Sequence, residues 1–190
     1  MIAMLDREKK TIYAVFAIAI AIIAPIIVLF TPYIIAVTFY DYADKIVFVP
    51  LPSSLIVYTF AFVAAVASLI GMYFLKKRIF KIGLGVFAII AFFFLFIGGT
   101  RHYVYIDTSG IESAHWLKGK KHYEWGDIVQ LDYTKKTINR VHDDEMRFTF
   151  HDQSTITLPV GGLVDEPIAN KIVKYVRKSG APVNEIIITE

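Results

Sequence analysis

Two histidines, His115 and His122, are the residues whose spacing most invites chemistry. They flank Lys118-Gly119 in a stretch that turns back on itself. A two-residue turn there would set them opposite each other on neighbouring strands, within reach of one metal ion. A glycine bulge would shift the register by one residue and part them. Spacing fixes no further ligand nearby, so exposed strand histidines are the plainer expectation. The run His142-Asp143-Asp144-Glu145 also offers ligand and acid–base groups, but its spacing fits no EF-hand loop or zinc motif. It reads as a solvated charge run. Asp107 and Asp127 sit where turns and helix starts need a side-chain oxygen for backbone N–H groups. The chain has no cysteine, which excludes disulfides and thiolate chemistry. It also lacks a GxSxG elbow, a GxGxxG loop and a Walker loop. No catalytic residue, metal or cofactor is expected, and the chain does not read as an enzyme.

The framework around these residues is split by composition. Residues 11–100 carry five Lys or Arg and two acids, whereas residues 101–190 carry twelve Lys or Arg and thirteen Asp or Glu. With 56% hydrophobic residues and mean hydropathy +0.54, the chain is too apolar for an ordinary soluble domain. The excess lies in three runs, about 11–38, 54–75 and 79–97. Each approaches the ~20 apolar residues that a helix needs to cross a bilayer. Continuous runs, as opposed to alternating ones, predict helices and not barrel strands. Pro25 and Pro32 inside the first run predict a kink or tilt. A cleaved signal peptide fits poorly, since the run is too long and no small-residue cleavage site follows. Gly83 and Gly85 in the third run suit close helix packing. Lys81, near the start of that run, can snorkel, and no other ionisable group sits at depth.

The expected organisation is therefore a transmembrane region over 1–100 and a water-facing domain over 101–190. Arg7, Lys9 and Lys10, with Lys76, Lys77, Arg78 and Lys81, outweigh the single Lys45 of the first loop. By the positive-inside rule the N-terminus is cytoplasmic. Three spans then carry the C-terminal domain to the outer face of the cell membrane. Arg101, just past the third span, and a re-entrant first segment would each argue the other way. The domain has a net charge of about −1, without the cationic excess that nucleic-acid binding requires.

The loop between the first two runs holds Ile46, Val47, Phe48, Val49 and Leu51, which is apolar for an exposed segment. Either it lies on headgroups or packs under the domain, or Ile46, Phe48 and Leu51 present a docking surface to a partner.

Past Arg101 the period becomes two. Residues 102–106, 111–117, 121–124, 128–134, 145–151 and 155–160 read as strands, with Met146, Phe148 and Phe150 on one face. Residues 135–144 read as a loop. Leu163, Ile168, Ile172, Val173 and Val176 then mark a helix over about 163–178, stopped by Gly180 and Pro182. The tail 183–189 can add an edge strand, which makes Ile186, Ile187 and Ile188 partner-contact candidates. Trp116 and Trp125 suit core or interfacial positions. Six strands and a helix predict a partly closed barrel or sandwich capped at one end.

The stretch YVYIDTSGIESAHWLKGKKHYEWGDIVQLDY carries an IDTSGI turn, a basic turn and a W-x-DIV strand opening. With the strand pair and helix that follow, it resembles the bacterial pleckstrin-homology-like (PH-like) domains fused to membrane helices, over about residues 100–180. That resemblance implies a seven-stranded, helix-capped barrel used for binding, one strand more than the pattern yields. It also implies that the basic turn, with Lys118, Lys120 and Lys121, can meet anionic lipid headgroups. The expectation is thus three transmembrane helices followed by a small PH-like β-barrel or sandwich. This would be a non-catalytic scaffold that docks a membrane or membrane-associated protein. A small transporter or bacteriocin-immunity-type protein acting through its helices is one alternative. A membrane enzyme or metal-binding protein is another.

Overall fold

The computed structural model describes residues 2–40, 42–116, 118–138 and 141–189, without the side chains of 2–10, 137, 138, 141, 142 and 189. The chain forms two compact units. One comprises Met1–Thr38 and Leu51–His102, the other Phe39–Pro50 and Tyr103–Glu190.

The first unit is helical: α1 (Ile2–Phe39), α2 (Pro52–Phe74) and α3 (Arg78–Thr100). All three are long and apolar enough to cross a membrane, over Thr11–Phe39, Pro52–Phe74 and Arg78–Thr100. α1 runs unbroken through Pro25 and Pro32, so it does not turn back at its prolines. Pro52 opens α2 at a position where its missing N–H costs nothing. α2 and α3 pack through aromatic and glycine contacts. Phe62 meets Phe92 edge-on at 5.2 Å, and Tyr58 lies 5.1 Å from Phe96. Gly99 leaves room for the Tyr58 ring, which a Cβ there would strike. Of the expected glycine pair, Gly85 would meet Met72 Cε at 3.2 Å if it carried a Cβ, while Gly83 faces open space. Close packing therefore accounts for Gly85 alone. The start of α2 is tied to the exit of α3, since Leu51 N–H donates to the His102 carbonyl at 3.1 Å. Ser53 Oγ also lies 3.1 Å from His102 Nδ1.

The second unit contains two sheets and a helix. The first sheet has the order β1-β2-β3-β4, from β1 (Lys45–Pro50), β2 (Tyr103–Asp107), β3 (Gly110–His115) and β4 (Gly119–Glu124). All its pairings are antiparallel. The second has the order β6-β5-β7-β8, from β5 (Ile128–Ile138), β6 (Val141–His142), β7 (Asp144–Phe150) and β8 (Thr155–Val160). β9 (Val183–Thr189) adds to β5 in parallel. Among the described residues no strand pairing joins the two sheets, so the expected barrel is not closed.

The apolar loop of the sequence reading is strand β1. Ile46, Val47, Phe48 and Val49 are all buried. Val47 and Val49 pair with Ile106 and Val104, and Phe48 pairs with Tyr105. Partners across a ladder share a face. The face of Val47, Val49, Ile106 and Ile111 is also that of Tyr123, whose ring stacks on Phe150 of β7 at 3.9 Å. This face meets the second sheet, which contributes Leu131, Met146, Phe148 and Leu158, all with 0% exposure. The opposite face of β1 and β2 is not bare. Tyr40 lies 4.7 Å from Phe48 and 4.8 Å from Tyr103.

β5 continues through Lys135–Ile138, where a loop was expected, because β9 pairs with it over Leu131–Thr137. α4 (Glu166–Lys178) begins later than its pattern suggested. Residues 161–164 form a turn closed by two reciprocal bonds, Gly161 N–H to Val164 O and Val164 N–H to Gly161 O. Leu163 is therefore exposed and not on the helix face. Asp165 caps α4, accepting from Ile168 N–H at 2.9 Å. Ala169, Ile172, Val173 and Val176 are buried, and Tyr175 stacks on Trp125 at 5.1 Å.

Candidate functional site

Residues that share a sequence neighbourhood in the β3–β4 hairpin part company in the fold. His115 pairs with Gly119, and Glu112 with His122. Three residues, not two, therefore separate the paired ends of the hairpin. His115 shares the inner face of Ser113, and His122 the outer face of Glu112. The two histidines thus point to opposite sides of the sheet and cannot share an ion. The side chain of His142 lies outside the described residues. Asp144 Oδ1 accepts from Lys136 N–H at 2.9 Å, a structural use of that acid. Among the described residues no group of three metal-ligating side chains comes together. Asp107 and Asp127 serve their turns. Asp107 Oδ1 accepts from Ser109 N–H at 2.7 Å and Gly110 N–H at 3.0 Å, and Asp127 Oδ2 accepts from Glu124 N–H at 2.8 Å.

The three lysines of the basic turn have different surroundings. Lys120 Nζ is 2.7 Å from Glu112, which also accepts from the Tyr103 hydroxyl at 2.7 Å. Burial first, then hydrogen bonding to Tyr40 and Glu112, holds the Tyr103 hydroxyl well above the usual tyrosine range. Lys121 Nζ is 3.0 Å from Asp152 Oδ2. Lys118 is exposed and makes no ion pair among the described residues.

In the second unit, two features among the described residues stand open to a ligand or partner. The first is β9. One of its edges pairs with β5, and no strand covers the other among the described residues. Ile186 is 44% and Ile187 74% exposed, while Ile188 is half-buried. Ile46 and Phe48, proposed from sequence as contacts, are core residues of β1, and Leu51 is half-buried at the start of α2.

The second is a pocket of about 160 Å³ between the β3–β4 hairpin and the start of β8, lined by polar groups that include Ser113, His115, Lys118, Lys121, Ser154 and Thr155. It exists because the edges of the two sheets do not bond to each other here. Sequence reading found its lysines and His115 but not Ser113, Ser154 or Thr155. The available signal was Ser113, a polar residue two positions after Ile111 on an inward-facing register. No family model, characterised protein or solved structure matches the chain.

Proposed function

We propose that this chain is a non-catalytic, membrane-anchored binding module whose β unit, PH-like in type, docks a protein partner along β9. The observation that carries this reading is the open edge of β9 with Ile186 and Ile187 uncovered. Free backbone groups on such an edge can add a strand from a partner, and neighbouring apolar side chains supply affinity. The PH-like assignment draws support from strand number. Among the described residues, seven strands of five or more residues precede α4 once β1, which lies outside the resembling stretch, is included.

In this reading the three helices cross the cell membrane as an anchor. The Lys and Arg bias of the N-terminal tail and the 76–81 segment favours a cytoplasmic N-terminus and a β unit on the outer face. A proton or ion path through the helices is disfavoured because the spans hold no Asp, Glu, His, Lys or Arg beyond Arg78 and Lys81, at the start of α3.

Ile187→Asp tests the docking edge. A partner that co-purifies with the intact chain from native membranes should be recovered about tenfold less with the variant, as for loss of an interface anchor. The anchor itself should stay in the membrane fraction. Unchanged recovery would remove β9 as the docking edge.

A further inference from the structure

We infer that the strand that docks on β9 is β9 of a second copy of this chain, antiparallel about a two-fold axis through Ile187; this rests on the reading of β9 as the docking edge and names its partner. Exposed edges are ordinarily blunted by lysine, proline or a bulge. β9 has none of these. It reads VNEIIIT, without Lys, Arg or Pro, and its register with β5 runs from Val183 to Thr189 without a shift. Its one charge, Glu185, is 3.3 Å from Arg177 of α4. The direction of its backbone groups follows from one bond, in which Leu131 N–H donates to the Pro182 carbonyl at 3.0 Å. Backbone polar groups alternate sides along a strand, so those of Asn184, Ile186 and Ile188 turn to β5. Those of Val183, Glu185, Ile187 and Thr189 turn to the open edge.

In one antiparallel register this edge is complementary to itself. With Ile187 opposite Ile187 of the second copy, Ile186 is opposite Ile188 and Glu185 is opposite Thr189. Ile187 and Glu185, whose backbone groups turn outward, then fall in hydrogen-bonded pairs. Ile186 and Ile188 fall in the intervening pairs, where side chains come closer. Isoleucine meets isoleucine, and Glu185 stays clear of Glu185 of the second copy. An axis through Glu185 would set like charges opposite each other, and one through Ile186 would set Glu185 against Ile187. Parallel in-register stacking would line Glu185 up in a row and continue into a fibre, whereas the two-fold pair closes on itself. The strand has 7 residues, against the roughly 20–30 a side of a standard interface. Confinement of copies to one membrane suits such a small contact, because it raises their effective concentration.

Disulfide formation by the full chain in its native membrane tests the pairing, since the chain has no cysteine of its own. Cα atoms of a hydrogen-bonded antiparallel pair lie about 5.5 Å apart, inside the roughly 4.4–6.8 Å that a disulfide spans. Ile187→Cys should therefore give a covalent dimer under mild oxidation. Glu185→Cys would lie ~14 Å along the strand from the same residue of the second copy, and should give severalfold less. Ile186→Cys and Ile188→Cys chains should cross-link to each other when co-expressed, and severalfold less when either is expressed alone. That pair keeps the test open if Ile187→Cys fails to fold. Equal dimer yields at Glu185→Cys and Ile187→Cys would indicate random collision and overturn the inference. So would the absence of dimer both at Ile187→Cys and between the co-expressed chains. If no covalent dimer forms while Ile187→Asp still lowers recovery of a different protein, β9 stands as the docking edge and the second copy is removed as its partner.

Discussion

Asp152 shows how one exposed carboxylate can organise a seam. The Ser154 hydroxyl, the Ser154 amide and Lys121 hold its carboxyl below the usual carboxylate range. A group with a depressed folded-state pKa contributes stability above its unfolded value, near 4, and loses it as pH falls toward the folded value. In that window the unfolded chain binds more protons. Asp152→Asn should therefore lower the melting temperature at neutral pH, and its difference from the parent should shrink as pH drops below about 4. Melts of the detergent-solubilised chain across pH would check this, and a constant difference would contradict it. Asp107 and Asp127 were legible as turn residues because a side-chain oxygen two or three residues from a backbone N–H is a local matter. His115 and His122 were not, because their relation depends on hairpin register, which a single residue of loop length reverses.

At the scale of elements, β1 separates what sequence can show from what it cannot. The spans declare themselves by length and apolarity. β7 and β8 declare themselves by alternation, with Met146, Phe148 and Phe150 buried as the pattern requires. β1 is buried on both faces, so its residues form an unbroken apolar run with no period of two. Its partner β2 lies beyond two helices in the chain. The extension of β5 through Lys135 and Lys136 was hidden for the opposite reason, since half-buried polar strand residues carry no apolar signal. The burial of β1 has a measurable consequence. Phe48, 4% exposed among Tyr40, Tyr103 and Tyr105, should cost about 3–5 kcal/mol of β-unit stability when truncated to alanine. Exposed Ile187→Asp should change stability little. Denaturant melts followed by tryptophan fluorescence would compare the two. A small effect for Phe48→Ala would mean that β1 is dispensable to the sheet. α4 offers a smaller test: Asp165→Ala removes the cap on Ile168 N–H and should cost about 1 kcal/mol.

The whole molecule is a β unit whose first hairpin has been opened to admit two helices. Pro50 and Tyr103 are register partners across the antiparallel β1–β2 pair. The chain between them, 51–102, nevertheless holds α2 and α3. Adjacent antiparallel strand ends need only a two-residue turn to connect them. The helical pair is thus an insertion at a hairpin tip, and the composition break at Arg101 is not the edge of the folding unit. A fragment beginning at Tyr103 would lack β1, baring the β2 edge and one flank of Val104 and Ile106, both 1% exposed or less in the intact chain. It should aggregate or melt without a cooperative transition. A chain in which Asn-Gly joins Pro50 directly to Tyr103, starting at Phe39 so that Tyr40 keeps its place over Phe48, restores all four strands of the first sheet. That chain should be monodisperse in buffer and unfold cooperatively, and it should show the β-rich far-ultraviolet signature that the shorter fragment lacks. Equal behaviour of the two would mean that β1 is held by the helices and not by the sheet. The hydrogen bonds and buried side chains of β1 argue for the sheet, because each strand residue that leaves it strands a backbone group and an apolar surface together.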